Sequence, residues 1–308
     1  MAKHITVLGS LNLDIHIPLE HMPVQGETIA LSKASSQAAG GKGANQAVAA
    51  QRLGAQVHFI GATGADAAGE MLRDKCKAEG IDIDMVKVLR NANTGEAFIV
   101  LEPDGHNTIM VEGGANKQVS KLAVREATEQ IKNTDILIAQ LETNVEPIVE
   151  AFKIAKAAGV LTILNPAPAS TDLPAELWPL VDVVTPNETE AWRLTGHKAE
   201  NRADYDAVAA AFAKKGVKNT IITLGEKGVY YNVAGQSDVV KAHKVEHPVD
   251  TTAAGDTFIG AMAAQLEPDL SNLTAAIQFA NAASSLTVQR AGAMDSIPMK
   301  AEVGTVLD

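Results

Sequence analysis

Short runs rich in apolar and β-branched residues alternate with longer stretches of helical spacing, most regularly in the second half of the chain. Runs at 136–139, 161–164, 181–184 and 220–223 are separated by segments such as 146–158 and 204–215, where apolar positions recur at helical intervals. A brief apolar run bounded by polar residues suits a strand buried on both faces. Strands alternating with helices imply a mainly parallel sheet covered by helices. Residues 5–8, ending at Gly9 and Ser10, and residues 58–61 read as further strands of that sheet. Helices are expected in the alanine-rich segment after the GGKG cluster, from Gly64 and Asp66 onward, over 257–266 and over 275–283, with a loop at 289–298.

Two stretches break this rhythm. Residues 15–36 contain short alternating pieces interrupted by Pro18, Pro23 and Gly26, and 95–112 reads as a hairpin turning at Pro103, Asp104 and Gly105. Together they suggest a small β-sheet lid made of 15–36 and 95–111, set on an α/β core of 1–14, 37–94 and 112–308.

The polar residues at strand ends carry the candidate chemistry. Asn12 and Asp14 follow the first strand, Gln140 and Glu142 follow 136–139, Asn165 follows 161–164, and Asn187 and Glu190 follow 181–184. In open parallel sheets the carboxyl ends of strands meet at one edge, where ligands bind, so these groups are placed to meet hydroxyls. Each alone is equally a turn former or a helix cap. In AGGKGANQAVAAQRLGA, the small residues Gly40, Gly41 and Gly43 permit close approach, and Lys42 and Asn45 offer donors at a helix start. A plain turn with a solvated lysine reads the same cluster; it is not a Walker A loop, because Gly43 stands where Ser or Thr is needed.

In DTTAAGDTFIG, residues 250–260, the small side chains of Ala253, Ala254 and Gly255 leave backbone N–H groups open at a helix start. Free N–H groups and the positive end of a helix suit phosphate charge, and Asp256 in the same turn can take a proton from an alcohol, which points to phosphoryl transfer to a hydroxyl. The bland alternative makes Asp256 a helix cap. The turn TLGEKG, formed by Thr223, Leu224, Gly225, Glu226, Lys227 and Gly228, offers backbone donors for phosphates or ribose, or is simply a hairpin turn.

Composition narrows the partners. A net charge of −11 over 308 residues opposes binding to a nucleic-acid backbone or an anionic membrane, leaving phosphate recognition to a local pocket. Neither a basic leader before an apolar segment nor an apolar stretch long enough to span a bilayer is visible, so a cytoplasmic protein is expected. Cys76, the sole cysteine, is expected to be a half-buried structural thiol.

Taken in order, GSLNLD, GGKGANQAVAAQRLGA with FIGATG behind it, QLE, LNPAPA, TPNETEA, TLGEKG and DTTAAGDTF resemble the ribokinase family of ATP-dependent sugar kinases over nearly the whole chain. The resemblance implies a doubly wound α/β fold with a β lid, and transfer of the ATP γ-phosphoryl group to O5 of D-ribose. Asp256 would then be the base, with the N–H groups of Ala253, Ala254 and Gly255 as the anion hole. Asn12, Asp14, Gly40, Gly41, Lys42, Gly43, Asn45 and Glu142 would contact the sugar. Asn187, Gly255, Asn281 and the turn Thr223, Leu224, Gly225, Glu226, Lys227 and Gly228 would line the ATP site, with Glu190 organising Mg2+, in part through water. Asp250, Thr252, Thr287, Arg290, Gly292 and Ser296 match loops that hold K+ in this family. A homodimer through the lid is also expected. The rival readings are a kinase for another sugar, such as 2-deoxyribose, fructose or a nucleoside, and a non-catalytic sugar or nucleotide sensor; retention of Asp256 and Gly255 argues against the sensor.

Overall fold

The structure, a computed structural model, describes residues 2–102 and 107–307. The turn expected at Pro103, Asp104 and Gly105 lies outside them. The chain opens with β1 (His4–Leu8), β2 (Asn12–Pro18) and β3 (Ser36–Gly40) and enters α1 (Lys42–Arg52). β4 (Gln56–Gly64), α2 (Ala67–Ala78) and β5 (Asp82–Leu89) follow, then β6 (Gly95–Leu101) and β7 (Asn107–Glu112). Two short helices, α3 (Lys121–Glu126) and α4 (Thr128–Lys132), lead into β8 (Ile136–Gln140), α5 (Val145–Ala158), β9 (Leu161–Asn165) and β10 (Val183–Val184). Next come α6 (Glu188–Thr195), α7 (Arg202–Lys215), β11 (Asn219–Thr223), β12 (Val229–Val233) and β13 (Gln236–Val240). Helices α8 (Ala254–Gln265), α9 (Leu273–Thr287) and α10 (Lys300–Leu307) end the described chain.

Among the described residues, nine strands form one sheet in the order β13-β12-β11-β10-β9-β8-β1-β4-β5. Its strands are parallel except for the β11–β12–β13 meander at one edge. Strand alternation divides the core between two faces. Ile136 and Ile138 pack on the side of Val48 from α1, Met262 from α8 and Ile277 from α9, whereas Leu137 and Ala139 pack with Phe152 from α5 and Phe212 from α7. Burial on both faces explains why the central strands read as nearly unbroken apolar runs. The expected α/β architecture with a mainly parallel sheet therefore holds, and no helix of the described residues is long and apolar enough to cross a membrane.

A second sheet has the order β3-β2-β6-β7, with β2 and β6 parallel and the outer pairs antiparallel. It grows directly from the end of β1, since only Gly9, Ser10 and Leu11 separate β1 from β2. Asn12 and Asp14 thus lie within a strand of the small sheet rather than in a loop after β1. Its β6 and β7 are the hairpin expected at 95–112, whereas β3 is Ser36–Gly40 and 19–35 between β2 and β3 contains no strand.

In the large sheet β1 pairs with β4 on one side and β8 on the other, so strand order reverses at β1. A crevice opens beyond the carboxyl ends at such a reversal. Ser10 and Glu142, which leave β1 and β8 there, hydrogen-bond to each other through the Ser10 hydroxyl.

Other expectations move in detail. β5 and β13 are edge strands that periodicity alone did not mark, and the strand at 181–184 is reduced to Val183–Val184. Helix α8 begins at Ala254, three residues before the expected start, because its N-cap Ala253 is left-handed (φ 59°) and turns the chain into the helix at once. Cys76 is fully rather than half buried, and burial pushes its thiol up to about 12, consistent with a packing role.

Candidate active site

The sugar-side residues converge where β1, β2 and α1 meet. Gly41 takes φ 93°, and a side chain there would stand 2.8 Å from the Asn12 nitrogen, so only glycine lets α1 start against β2. The neighbouring glycines admit protein rather than open space: a Cβ on Gly40 would run into the Asp14 carboxylate, and one on Gly43 would stand 2.5 Å from the Ser10 nitrogen. Glu142 draws the region together by accepting from the Ser10 hydroxyl, from the Lys42 backbone N–H at 3.0 Å and from Asn12 Nδ2 at 3.5 Å.

Asn116 holds Asn12 from behind. Its Nδ2 donates to Asn12 Oδ1 at 2.7 Å and to the Leu11 carbonyl at 3.1 Å, while its Oδ1 accepts from the Leu11 N–H at 3.0 Å. That clamp turns the Asn12 amide N–H toward Glu142. Asp14 is buried, and burial together with the charges of Glu142 and Asp256 pushes its carboxyl up to about 7, against the opposing pull of Lys42. Burial opposes the Lys42 charge as well, but the carboxylates of Asp256, Glu142, Glu190 and Asp14 outweigh it and raise the lysine above its usual range. Lys42 is the cation around which these acids gather.

Asp256 sits in the first turn of α8 with 8 % of its surface exposed. Asn45 Nδ2 donates to Asp256 Oδ2 at 3.1 Å and Gln46 Nε2 donates to Asp256 Oδ1 at 2.9 Å. The helix start is not quite as expected, because the Ala254 N–H donates to the Thr251 carbonyl at 3.2 Å. That leaves Gly255 and Asp256 as the unpaired donors of the first turn, with Ala253 at the cap. A Cβ added to Gly255 would meet nothing within 4 Å. Among the glycines singled out at the sugar side and the helix start, Gly255 therefore faces open space.

Two cavities meet at this helix start. One, of about 200 Å³, is lined by Lys42, Asn165, Glu190, Ala253, Ala254, Gly255 and Asp256 among others. The other, of about 400 Å³, is lined by Thr223, Gly225, Gly228, Phe258, Asn281 and Ser284, and both share Asn187, Thr223, Ala254 and Gly255. A phosphate on the shared wall would lie between a group held by Asp256 and a larger ligand in the second cavity. Part of the TLGEKG turn stays out of it: Leu224 is buried in the core, Glu226 is exposed, and Lys227 reaches Glu188 at 3.0 Å.

Asn187 and Glu190 form a capping box at α6, with the Asn187 N–H donating to Glu190 Oε2 at 2.9 Å and Asn187 Nδ2 to Oε1 at 3.0 Å. Burial raises the Glu190 carboxyl above the usual range, partly offset by Asn187 and Lys42. With both oxygens engaged, Glu190 suits a divalent cation held through water better than a direct ligand.

Asp250 ties together the loops around the other proposed cation site. Its Oδ1 accepts from the Thr252 N–H at 2.8 Å and the Thr252 hydroxyl at 2.6 Å, and its Oδ2 from the Gly292 N–H at 2.9 Å. These bonds outweigh the effect of burial and hold its carboxyl below the usual range. The side chains of Thr287 and Ser296 turn to the carbonyls of Ala283 and Ala293, and Arg290 turns to Glu302. One ionised carboxylate between these loops, with no cluster of three acidic, histidine or cysteine ligands among the described residues, fits a monovalent cation better than a dehydrated divalent one.

Several residues that matter here had no role in the sequence reading. Gln46 lies inside the GGKGANQ motif and Asn116 in GGAN, but a donor that acts through another side chain has no pattern of its own. Ser10 read as a strand terminus.

The chain matches the family model described as pfkB family carbohydrate kinase over residues 2–300. It is 44% identical to a ribokinase of Staphylococcus aureus over 306 residues, covering 99% of this chain and all of that protein. A ribokinase of Haemophilus influenzae is 42% identical, covering 98% of this chain and 97% of the other. The solved structure of Arabidopsis thaliana ribokinase complexed with ribose and ATP superposes with a TM-score of 0.93 at 35% identity, covering 100% of this chain and 99% of that one.

Proposed function

The chain belongs to the pfkB family of carbohydrate kinases, and on that premise we propose that it transfers the γ-phosphoryl group of ATP to O5 of D-ribose, giving D-ribose 5-phosphate and ADP. The observation that carries this reading is the start of α8, where Asp256 lines the cavity that reaches Lys42 and Glu190 while Ala254 and Gly255 beside it also line the cavity that reaches Asn281. Asn12, Asp14, Asn45 and Glu142 hold the sugar hydroxyls. Each buried hydroxyl left without a partner costs about 1 to 3 kcal/mol, so such a constellation selects a small polyol that fills it.

Asp256 takes the proton of the O5 hydroxyl as that oxygen bonds to the γ-phosphorus, while the bond from phosphorus to the β,γ-bridging oxygen breaks and ADP leaves. The N–H groups of Ala253, Gly255 and Asp256 and the ammonium of Lys42 stabilise charge on the phosphoryl oxygens. Asn187, Thr223, Gly225, Gly228 and Asn281 surround the nucleotide. Glu190 would hold Mg2+ through water, and the ion would supply charge neutralisation at the phosphates. Asp250 and the backbone around Thr252, Arg290 and Gly292 would hold K+, which would add positive charge near the start of α8.

The small sheet closes over the sugar and excludes water, and a second copy pairs through it. Ile109, Met110 and Val111 on edge strand β7 are 54%, 52% and 52% exposed, an apolar edge that invites such pairing. The test is ADP release with Mg2+ across pentoses, hexoses and nucleosides. Fastest turnover on ribose, with product phosphorylated at O5, supports the proposal; a preference for 2-deoxyribose or a hexose replaces the substrate.

A further inference from the structure

Gln46 sits in the fully buried part of α1 and has no exposed surface, so it has no face with which to touch a ligand. Its carboxamide is nevertheless fully engaged. Nε2 donates to Asp256 Oδ1 at 2.9 Å and to Asn165 Oδ1 at 3.1 Å, and Oε1 accepts from Gln140 Nε2 at 2.7 Å. One further contact fixes which way the amide faces. Asn165 Nδ2 donates to the Thr185 carbonyl at 3.0 Å, so Asn165 presents its oxygen to Gln46, and the Asp256 carboxylate can only accept. Gln46 can only point its N–H groups at Asp256.

We propose that Gln46 is a positioning residue for phosphoryl transfer, holding Asp256 Oδ1 so that Oδ2 is turned to the sugar hydroxyl. The inference rests on the reading of Asp256 as base. Donation to the charged form of a carboxylate favours that form, and a carboxylate fixed by its neighbours loses no time in unproductive rotamers. Other charged groups face Asp256 as well: Lys42 from α1, Asp14 from β2 and Glu190 from α6, whereas α9, packed along α8, carries no charged residue.

The test is the rate of a single turnover on ribose against pH, with ribose binding measured separately by calorimetry, for the full chain and for Gln46→Met and Gln46→Glu. Both variants are expected to bind ribose within about threefold of the parent chain but to transfer at least about tenfold more slowly at pH 7, because the hydrogen bond they lack is to the reacting group. The acid limb of the transfer rate is expected to move up by about one pH unit or more, further in Gln46→Glu, where two adjacent carboxylates share a proton. Gln46→Glu retains the side-chain shape and keeps the test open if Gln46→Met does not fold. An unmoved acid limb, or a loss confined to ribose affinity, overturns the proposal. If the parent chain prefers another sugar, the same comparison is made with that sugar; a parent chain inactive on every sugar overturns this proposal together with the kinase reading, whereas an active parent with an unmoved limb overturns this one alone.

Discussion

Gly260 of α8 lies so close to α1 that a methyl group on it would stand 2.6 Å from the Ala49 Cβ and 2.5 Å from the Gln46 carbonyl oxygen. This contact sets the distance between the helix that carries Asp256 and the helix that carries Asn45 and Gln46. Gly260→Ala is expected to destabilise the protein by about 1 to 3 kcal/mol, since backbone cannot yield as a flexible side chain does. Thermal unfolding checks it.

Gly255→Ala is expected to do the reverse. The added methyl meets open space and alanine is the better helix former by up to about 1 kcal/mol, so the melting temperature holds or rises. Turnover falls by about 100-fold or more, because that methyl occupies the room of the phosphoryl group at the helix start. Steady-state kinetics beside the melting curve separates this from a folding defect.

Asp14 couples pH to both binding and stability. Its carboxyl is pushed up to about 7, so as an acceptor for sugar hydroxyls it is lost below that pH, and KM for ribose is expected to rise as pH falls from 8 to 6. The stability effect has the opposite sign. Between the ordinary 3.8 and about 7 the folded chain holds a proton that the unfolded chain has released, so stability contributed by Asp14 falls as pH rises through that window. Asp14→Asn is therefore expected to raise the melting temperature at pH 8, with little change at pH 4, while weakening ribose binding. Melting curves at both pH values, with calorimetry of ribose, give the answer.

Asn116→Asp removes the donor that fixes Asn12 and sets a carboxylate against the Asn12 carbonyl oxygen and the Leu11 carbonyl. Leaving such buried acceptors unpaired costs about 1 to 3 kcal/mol, so KM for ribose is expected to rise about tenfold or more with a smaller change in KM for ATP.

Asp250→Asn keeps the shape of the cation loop and removes its charge. Stimulation by KCl at constant ionic strength is expected to vanish, while the Mg2+ requirement remains. Undiminished stimulation would remove Asp250 from the cation site.

Much of the fold was legible because burial on both faces leaves a plain trace: β8 and β9 are apolar runs, and α5 and α7 end at Gly159 and Gly216 in the left-handed conformation. The small sheet was legible as a change of rhythm, and its hairpin at 95–112 in its bounds, but β3 was not, because SQAAG has neither alternation nor β-branched residues and forms by pairing with β2. β13 followed a turn at Ala234 and Gly235, a weak hairpin signal. In the site, Asp256 stood out because it follows small residues at a helix start. Gln46 and Asn116 did not, since their partners are 210 and 104 positions away and only the packing of α1, α8 and the β1–β2 junction brings them together.

The most direct measurement is the Asp256→Asn variant assayed for ATP-dependent phosphorylation of ribose, beside calorimetry of ribose binding to the same protein. Asparagine fills the same space and keeps an acceptor for Asn45 or Gln46 but takes up no proton, so turnover is expected to fall by about 1,000-fold or more with ribose still bound. Phosphorylation at the parent rate would contradict the assignment of Asp256 as the base.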